Sequence, residues 1–307
     1  MKLSTKTNHS LLVTMAYLAM IVIWSTTPLA IKWSSQGLDF ITGVSARMLI
    51  GAILALFLAL LWHKKIPMHK NARSVYTASA FSIYGSMMMV YWGAQFIPSG
   101  LVSVLFGLSP IFTTGFVLLL RNHVSLNEHF GWHKLWGAGV GICGLGIIFI
   151  ERISRGEEAI MGMLAVLIAV ILHTGSAVRI KRLNIPLPAL IVTTGGLLFA
   201  LPLFLLSFLL FADPLPEQLP LRTLWSIVYL GIMGSVVGFV SYYFVLSRLS
   251  ASTVALATLI TPITALLLGK WFNHETITSA IFIGTACVLS GLLIHQFYEP
   301  LRKHFFS

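Results

Sequence analysis

Few side chains in this sequence can do chemistry, and their types narrow what that chemistry is. Leu108-Ser109-Pro110-Ile111 and Ile260-Thr261-Pro262-Ile263 lie 152 positions apart in a chain of 307, each within a long apolar run. A proline inside a helix removes a backbone hydrogen bond and costs about 3 kcal/mol. The carbonyls so freed, with the hydroxyls of Ser109, Thr113, Thr258, Thr261 and Thr264, would form a polar spot that holds a ligand by hydrogen bonds. The plainer reading is a pair of kinks that improve packing. Arg47 is the one charge well inside an apolar run. A guanidinium so placed pairs with a substrate carboxylate, or it hydrogen-bonds neighbouring carbonyls and snorkels to the nearer interface. His173 is the one titratable candidate for a proton relay, and a lone histidine among apolar residues is more often a neutral, hydrogen-bonded one. No Asp or Glu lies deep in an apolar run, so a carboxylate relay has no candidate.

Other residue patterns add shape more than chemistry. Tyr84 and Tyr91 are seven apart and share a helix face. Tyr91, Trp92, Tyr242 and Tyr243 sit near the ends of apolar runs, where interfacial aromatic belts are normal, which leaves Tyr84 as the better cavity candidate. Gly137, Gly139, Gly141, Gly144 and Gly146, and later Ala280, Gly284, Cys287 and Gly291, make small-residue ridges that let helices approach closely. The spacing does not say whether they meet within one protomer or between two. The two cysteines, Cys143 and Cys287, form no CxxC or cluster, so no metal site or disulfide framework is expected. No phosphate-binding glycine loop, HExxH or GxSxG motif is present, which argues against an enzyme, and no cofactor is implied.

The elements that carry these residues must lie in a bilayer. The sequence is 57% hydrophobic and 9% charged, with a mean hydropathy of +0.90, against about 25% charged residues in soluble domains. An all-α integral membrane protein follows. Windows of about 20 apolar residues predict ten transmembrane helices: 11–31, 40–62, 75–96, 100–121, 132–150, 160–179, 188–211, 222–246, 251–272 and 277–297. The net charge of +11 is spread over short loops, which speaks against nucleic acid. With both termini cytoplasmic, 14 of the 20 lysines and arginines fall inside, 5 outside, and Arg47 within a span, as the positive-inside rule requires. The apolar run from Leu11, although it follows Lys2 and Lys6, is read as an uncleaved first helix.

Five spans per half make the second half enter the membrane from the opposite side, so the halves 1–153 and 154–307 are expected to form an inverted repeat. Pro110 pairs with Pro262, Lys32 with Lys181, and Gly137 and Gly144 with Gly284 and Gly291. Ten spans, the 5+5 division, a basic chain near this length and the paired prolines resemble the EamA branch of the drug/metabolite transporter superfamily. Trp24-Ser25 followed by Lys32, Arg47 in the second span, and Glu275 thirteen residues after Pro262 fit the same pattern. His123, with Glu128 nearby, departs from it. The resemblance implies a helical basket whose central cavity is lined by spans 1, 3, 4, 6, 8 and 9. Together with the residue readings above, it gives the expected substrate site of Trp24, Ser25, Arg47, Tyr84, Ser109, Pro110, His173, Thr258, Thr261 and Pro262. The expected activity is secondary-active export of a small organic metabolite, an amino acid-like solute or drug, across the inner membrane by alternating access. The alternatives are an integral-membrane lipid-modifying enzyme and a channel or scaffold. Small-molecule substrate and lipid are the implied partners, and the protein is a monomer or homodimer.

Overall fold

The computed structural model describes residues 2–119, 132–153, 156–250, 253–254 and 256–305, with side chains described from residue 11 to residue 295. His123 and Glu128 lie outside the described residues, and the expected division between residues 153 and 154 falls at their edge. Every regular element described is helical: α1 (Lys2–Ser34), α2 (Phe40–Leu61), α3 (Lys70–Phe81), α4 (Met87–Phe96), α5 (Ser99–Phe106), α6 (Ser109–Leu119), α7 (Trp132–Ile153), α8 (Glu157–Leu183), α9 (Ala189–Phe211), α10 (Leu221–Tyr229), α11 (Gly238–Arg248), α12 (Ala257–Asn273) and α13 (Ser279–Phe305). A π-helical turn, Ser82–Ser86, joins α3 to α4, and a second, Leu230–Val237, joins α10 to α11. Among the described residues, seven stretches are long and apolar enough to cross a bilayer: Leu11–Ser34, Phe40–Leu61, Ser99–Leu119, Trp132–Ile153, Glu157–Leu183, Ala189–Phe211 and Leu221–Arg248. Ser279–His295 is a shorter apolar helix. The protein is a multi-pass membrane protein.

Local rules account for the ends of these helices. Asp39 caps α2 by accepting from the Thr42 N–H at 2.9 Å, which satisfies an otherwise orphaned donor. Pro98, Pro188 and Pro220 directly precede α5, α9 and α10, each in an extended conformation that sets the entry angle of the chain. Asn184 and His274 end α8 and α12 in the left-handed region, at φ 47° and 52°.

The span that carries Pro110 is broken just before the proline and not at it. The chain ends α5 at Phe106, turns through Gly107 and Leu108, and starts α6 at Ser109. Pro110 therefore stands in the first turn of a new helix, where no N–H is needed. The carbonyl of Phe106, four residues before the proline, accepts from Ser109 Oγ at 2.5 Å. It is thus satisfied by its own chain. Pro262 lies inside α12 without ending it. Beside it, Thr264 Oγ1 donates to Ser25 Oγ at 2.6 Å, which donates in turn to the Ile21 carbonyl at 2.8 Å.

Packing runs between the two halves of the chain. α7 lies along α13, α2 along α9, and α5 along α12, while α4 packs on α8 and α1 on α11. Small residues permit the closest of these. A Cβ on Gly144 would stand 2.5 Å from the Gly284 carbonyl oxygen, and one on Gly284 would stand 2.6 Å from that of Gly144. Gly137 and Gly291 abut in the same manner. The glycine ridges therefore meet inside one protomer. A Cβ on Gly139 or Gly146 would meet none of the described residues within 4 Å, because they lie on the far side of α7.

Candidate functional site

The buried face of α2 explains how a guanidinium reaches the middle of the bundle. Val44, Arg47, Met48, Gly51 and Ala55 recur at helical spacing and are all buried. Gly51 and Gly231 let α2 approach the second π-helical turn, since a Cβ on Gly51 would stand 2.7 Å from Ser235 Cβ. Arg47 is 1% exposed. Its Nε donates to Ser235 Oγ at 3.0 Å, and its Cζ lies 5.9 Å from the Tyr91 ring centroid. Nη2 lies against Gly234, where a Cβ would come within 2.9 Å. Nη1 has no protein partner, and no ion pair joins Arg47 to an acid among the described residues. A π-helical turn widens the backbone spiral and often occurs where a helix carries a function. Here it sets Gly234 and Ser235 against the guanidinium.

Arg47 lines a central cavity of about 80 Å³. One face of α1 contributes Trp24, Thr27, Pro28 and Ile31, α4 Met87 and Val90, and α5 Val102, Ser103 and Phe106. His173 of α8, Gly234, Phe239 of α11, and Thr258 and Thr261 of α12 complete it. A smaller lobe of about 20 Å³ shares Trp24, Phe106, His173 and Thr258 and adds Ser109, Thr113, Tyr242 and Leu246. The lining matches the helices expected from the family resemblance, with α2 added through Arg47.

Of the ten candidate residues, Trp24, Arg47, His173, Thr258 and Thr261 line the main cavity, and Ser109 lines the lobe. The other four lie elsewhere. Tyr84 packs on Phe204 with centroids 5.0 Å apart, and its hydroxyl meets Ser207 Oγ at 2.7 Å, so it joins α9 instead of facing the cavity. Ser25, Pro110 and Pro262 are buried in helix contacts. Sequence reasoning passed over Thr27, Ser103, Phe106 and Gly234. Helical spacing carried a signal for three of them: Thr27 is three residues from Trp24, and Phe106 and Ser103 are four and seven before Pro110. Nothing in the sequence singled out Gly234.

His173 is enclosed by rings, with centroids 5.8 Å from Trp24, 5.9 Å from Phe106 and 5.1 Å from Tyr242. Its Nδ1 meets Ser82 Oγ at 3.4 Å. These are the surroundings of a neutral aromatic wall. His173→Gln is expected to leave the shape of a transport–pH profile unchanged while lowering its amplitude several-fold. A profile flattened between pH 5 and 8, where imidazole changes charge, would restore the proton relay.

Two further features distinguish the bundle. In one, Lys32 Nζ donates to the Ile97 carbonyl at 2.9 Å. Glu275 accepts from Ser99 Oγ at 2.9 Å and from Asn273 Nδ2 at 2.8 Å, while Trp33 Nε1 donates to Asn273 Oδ1 at 3.1 Å. α1, α5 and α12 are thereby tied together. The second is a cleft of about 720 Å³ lined by residues including Val75, Lys181, Asn184, Tyr243, Leu246 and Arg248. Leu246 lines both this cleft and the inner lobe, so it stands between them.

The structure is thus a helical membrane protein with a small, mostly apolar central cavity, a hydrogen-bond network that ties α1, α5 and α12, and a cleft that shares Leu246 with the inner lobe. The EamA-like transporter family matches residues 11–150 and again residues 160–295, and the chain belongs to that family. It is 28% identical to the uncharacterized transporter YoaV of Bacillus subtilis (strain 168) over 298 residues, covering 95% of this chain and 99% of that one. It is 25% identical to a probable terminal-alkyne amino-acid exporter of Streptantibioticus cattleyicolor over 285 residues, covering 89% and 92%. With the uncharacterized inner membrane transporter YedA of Escherichia coli (strain K12), identity is 22% over 280 residues, covering 91% and 89%. A solved crystal structure shares the fold at a TM-score of 0.68 and 18% identity, covering 93% of this chain and 98% of that one.

Proposed function

We propose that the protein is a secondary-active transporter of the inner membrane that exports a small organic metabolite by alternating access. The carrying observation is the central cavity between helices of both halves; we read the hydrogen-bond network around Lys32 and Glu275 as its closed outer gate and the cleft that meets the inner lobe at Leu246 as its inner approach. The exporter relative and the inner-membrane relative support the direction and the compartment.

Helix pairing supports ten spans in two inverted halves, 1–153 and 154–307. Counting spans in order, the pairs 2 with 7, 4 with 9 and 5 with 10 are each their own image when every span is exchanged for its counterpart five later. The pair 3 with 6 becomes 8 with 1, which also packs. Both third and eighth spans carry a π-helical turn. The Gly137–Gly291 contact has Gly284–Gly144 as its image. Charge bias sets both termini in the cytoplasm, so the cleft lined by Lys181 and Arg248 opens inward.

Closure at the outer end then depends on Glu275. Glu275→Gln removes the charge that accepts from Ser99 and Asn273, and hydrogen bonds to charged groups are worth about 1.5–3 kcal/mol. Labelling of Thr27→Cys by a membrane-impermeant thiol reagent from outside, with Cys143 and Cys287 replaced, is expected to accelerate at least tenfold in this variant. An unchanged rate would remove Glu275 from the gate.

The overall reading is tested by comparing metabolites of deletion and overexpression cells, followed by uptake into inside-out vesicles. Efflux of a small set of solutes that tracks expression is expected. Altered lipids with no exported solute would favour the lipid-modifying enzyme instead.

A further inference from the structure

We infer that the cavity selects solutes carrying a carboxylate, held by Arg47, with an apolar or aromatic body laid against Trp24 and Phe106. The inference rests on the transport reading only for the route by which the solute enters.

The argument begins from charge balance. Arg47 is 1% exposed, and only its Nε is satisfied by a side chain, Ser235. Nη1 has no protein partner. A buried guanidinium with a free N–H edge is costly to hold and becomes favourable when an anion completes it. The other polar side chains of the cavity are hydroxyls and the imidazole, from Thr27, Ser103, His173, Thr258 and Thr261. The cavity lining contains no carboxylate. An ammonium brought here would find no counter-charge and would meet the field of Arg47. A neutral amide would offer an acceptor but leave the charge uncompensated.

Geometry restricts the anion further. Nε is taken by Ser235, Nη1 is enclosed without a partner, and Nη2 lies beside Gly234. Room around the guanidinium is therefore tight, which suits a small planar carboxylate better than a bulkier phosphate. Trp24, Phe106 and His173 form contiguous ring surface in the same cavity, which favours an apolar body. An anion that pairs with Nη1 must part the side chains around it, so ligand and conformational change are coupled.

Three nearly isosteric probes separate the charges: phenylacetate, phenylacetamide and phenethylammonium, titrated by calorimetry into the purified full chain in neutral detergent, with the unfolding temperature followed in parallel. Phenylacetate is expected to bind saturably and to raise the unfolding temperature, with the other two at least tenfold weaker. Arg47→Gln is expected to lose phenylacetate binding, and Arg47→Lys to keep part of it. Absence of saturable phenylacetate binding, equal or tighter binding of the amide or ammonium, or unchanged phenylacetate binding by folded Arg47→Gln would each overturn the inference. If Arg47→Gln does not fold, the comparison of the three probes on the unaltered protein decides the matter alone. Proteoliposomes separate this inference from the transport reading. Arg47-dependent binding without movement across the vesicle sinks transport and leaves the site. Movement of the amide or ammonium in preference to phenylacetate sinks the site and leaves transport.

Discussion

Arg47→Ala is expected to abolish transport at normal expression, with a loss of at least a hundredfold in rate. Truncating one partner of a buried charge-assisted contact costs about 2–5 kcal/mol, and each 1.4 kcal/mol is about tenfold. The diagnostic measurement is stability. A guanidinium that holds helices together would lower the unfolding temperature when removed. One maintained for a ligand would not, because replacing an incompletely paired buried charge by an apolar side chain of similar volume is often neutral or stabilising. Arg47→Met, which keeps much of the volume, is therefore expected to unfold at the same temperature as the parent protein or above it, and to be inactive. Full transport in either variant would sink a substrate role for Arg47. A milder companion is Gly234→Ala, whose Cβ would stand 2.9 Å from Nη2 and displace the guanidinium without removing it. Transport is expected to fall about tenfold there, the 1.4 kcal/mol scale of one disturbed contact, with little change in stability.

The second large effect is structural. Gly144→Leu and Gly284→Leu are expected to destabilise the protein severely, because backbone of the facing helix occupies the space that each side chain would need. Overpacking costs about 1–3 kcal/mol where side chains can yield, and carbonyl groups of a packed helix yield least. Expression and the unfolding temperature in detergent should both drop, and α7 should separate from α13. Gly139→Ala and Gly146→Ala, on the same helix with nothing facing them, are the controls. They are expected to be neutral, or to gain up to about 1 kcal/mol from the better helix propensity of alanine. Equal damage at all four positions would mean that the ridge acts through another molecule, not through the internal contact.

The two predictions differ in how much of each was legible beforehand. Spacing of the glycines announced close helix packing but carried no partner, since a ridge reads the same whether it meets its own chain or a second copy. Arg47 declared itself by type alone, because a charge in an apolar run is expensive wherever it points. The prolines misled in part. Their pairing across the chain drew attention to the fourth and ninth spans, and those spans do line the cavity through Ser103, Phe106, Thr258 and Thr261. The freed Phe106 carbonyl, however, is engaged by Ser109, a local contact three residues along the chain. Tyr84 is placed against α9 for a related reason. A shared face with Tyr91 says which side of a helix a residue occupies, not whether that side meets the cavity or α9.

Sequence alone determined the solvent and the element type, and its paired motifs carried the resemblance to the family. The first two depend on composition and on the length of apolar runs, which local transfer energies set residue by residue. Tertiary structure alone decided which small residues touch, which hydroxyls are spent on their own backbone, and which polar group is left over. Those outcomes depend on distances between helices far apart in the chain. The contact between Arg47 and the π-helical turn at Gly234 and Ser235 is the clearest case. Two segments 188 residues apart meet only because Gly51 and Gly231 let their helices close, and the unpartnered Nη1 is a property of that meeting.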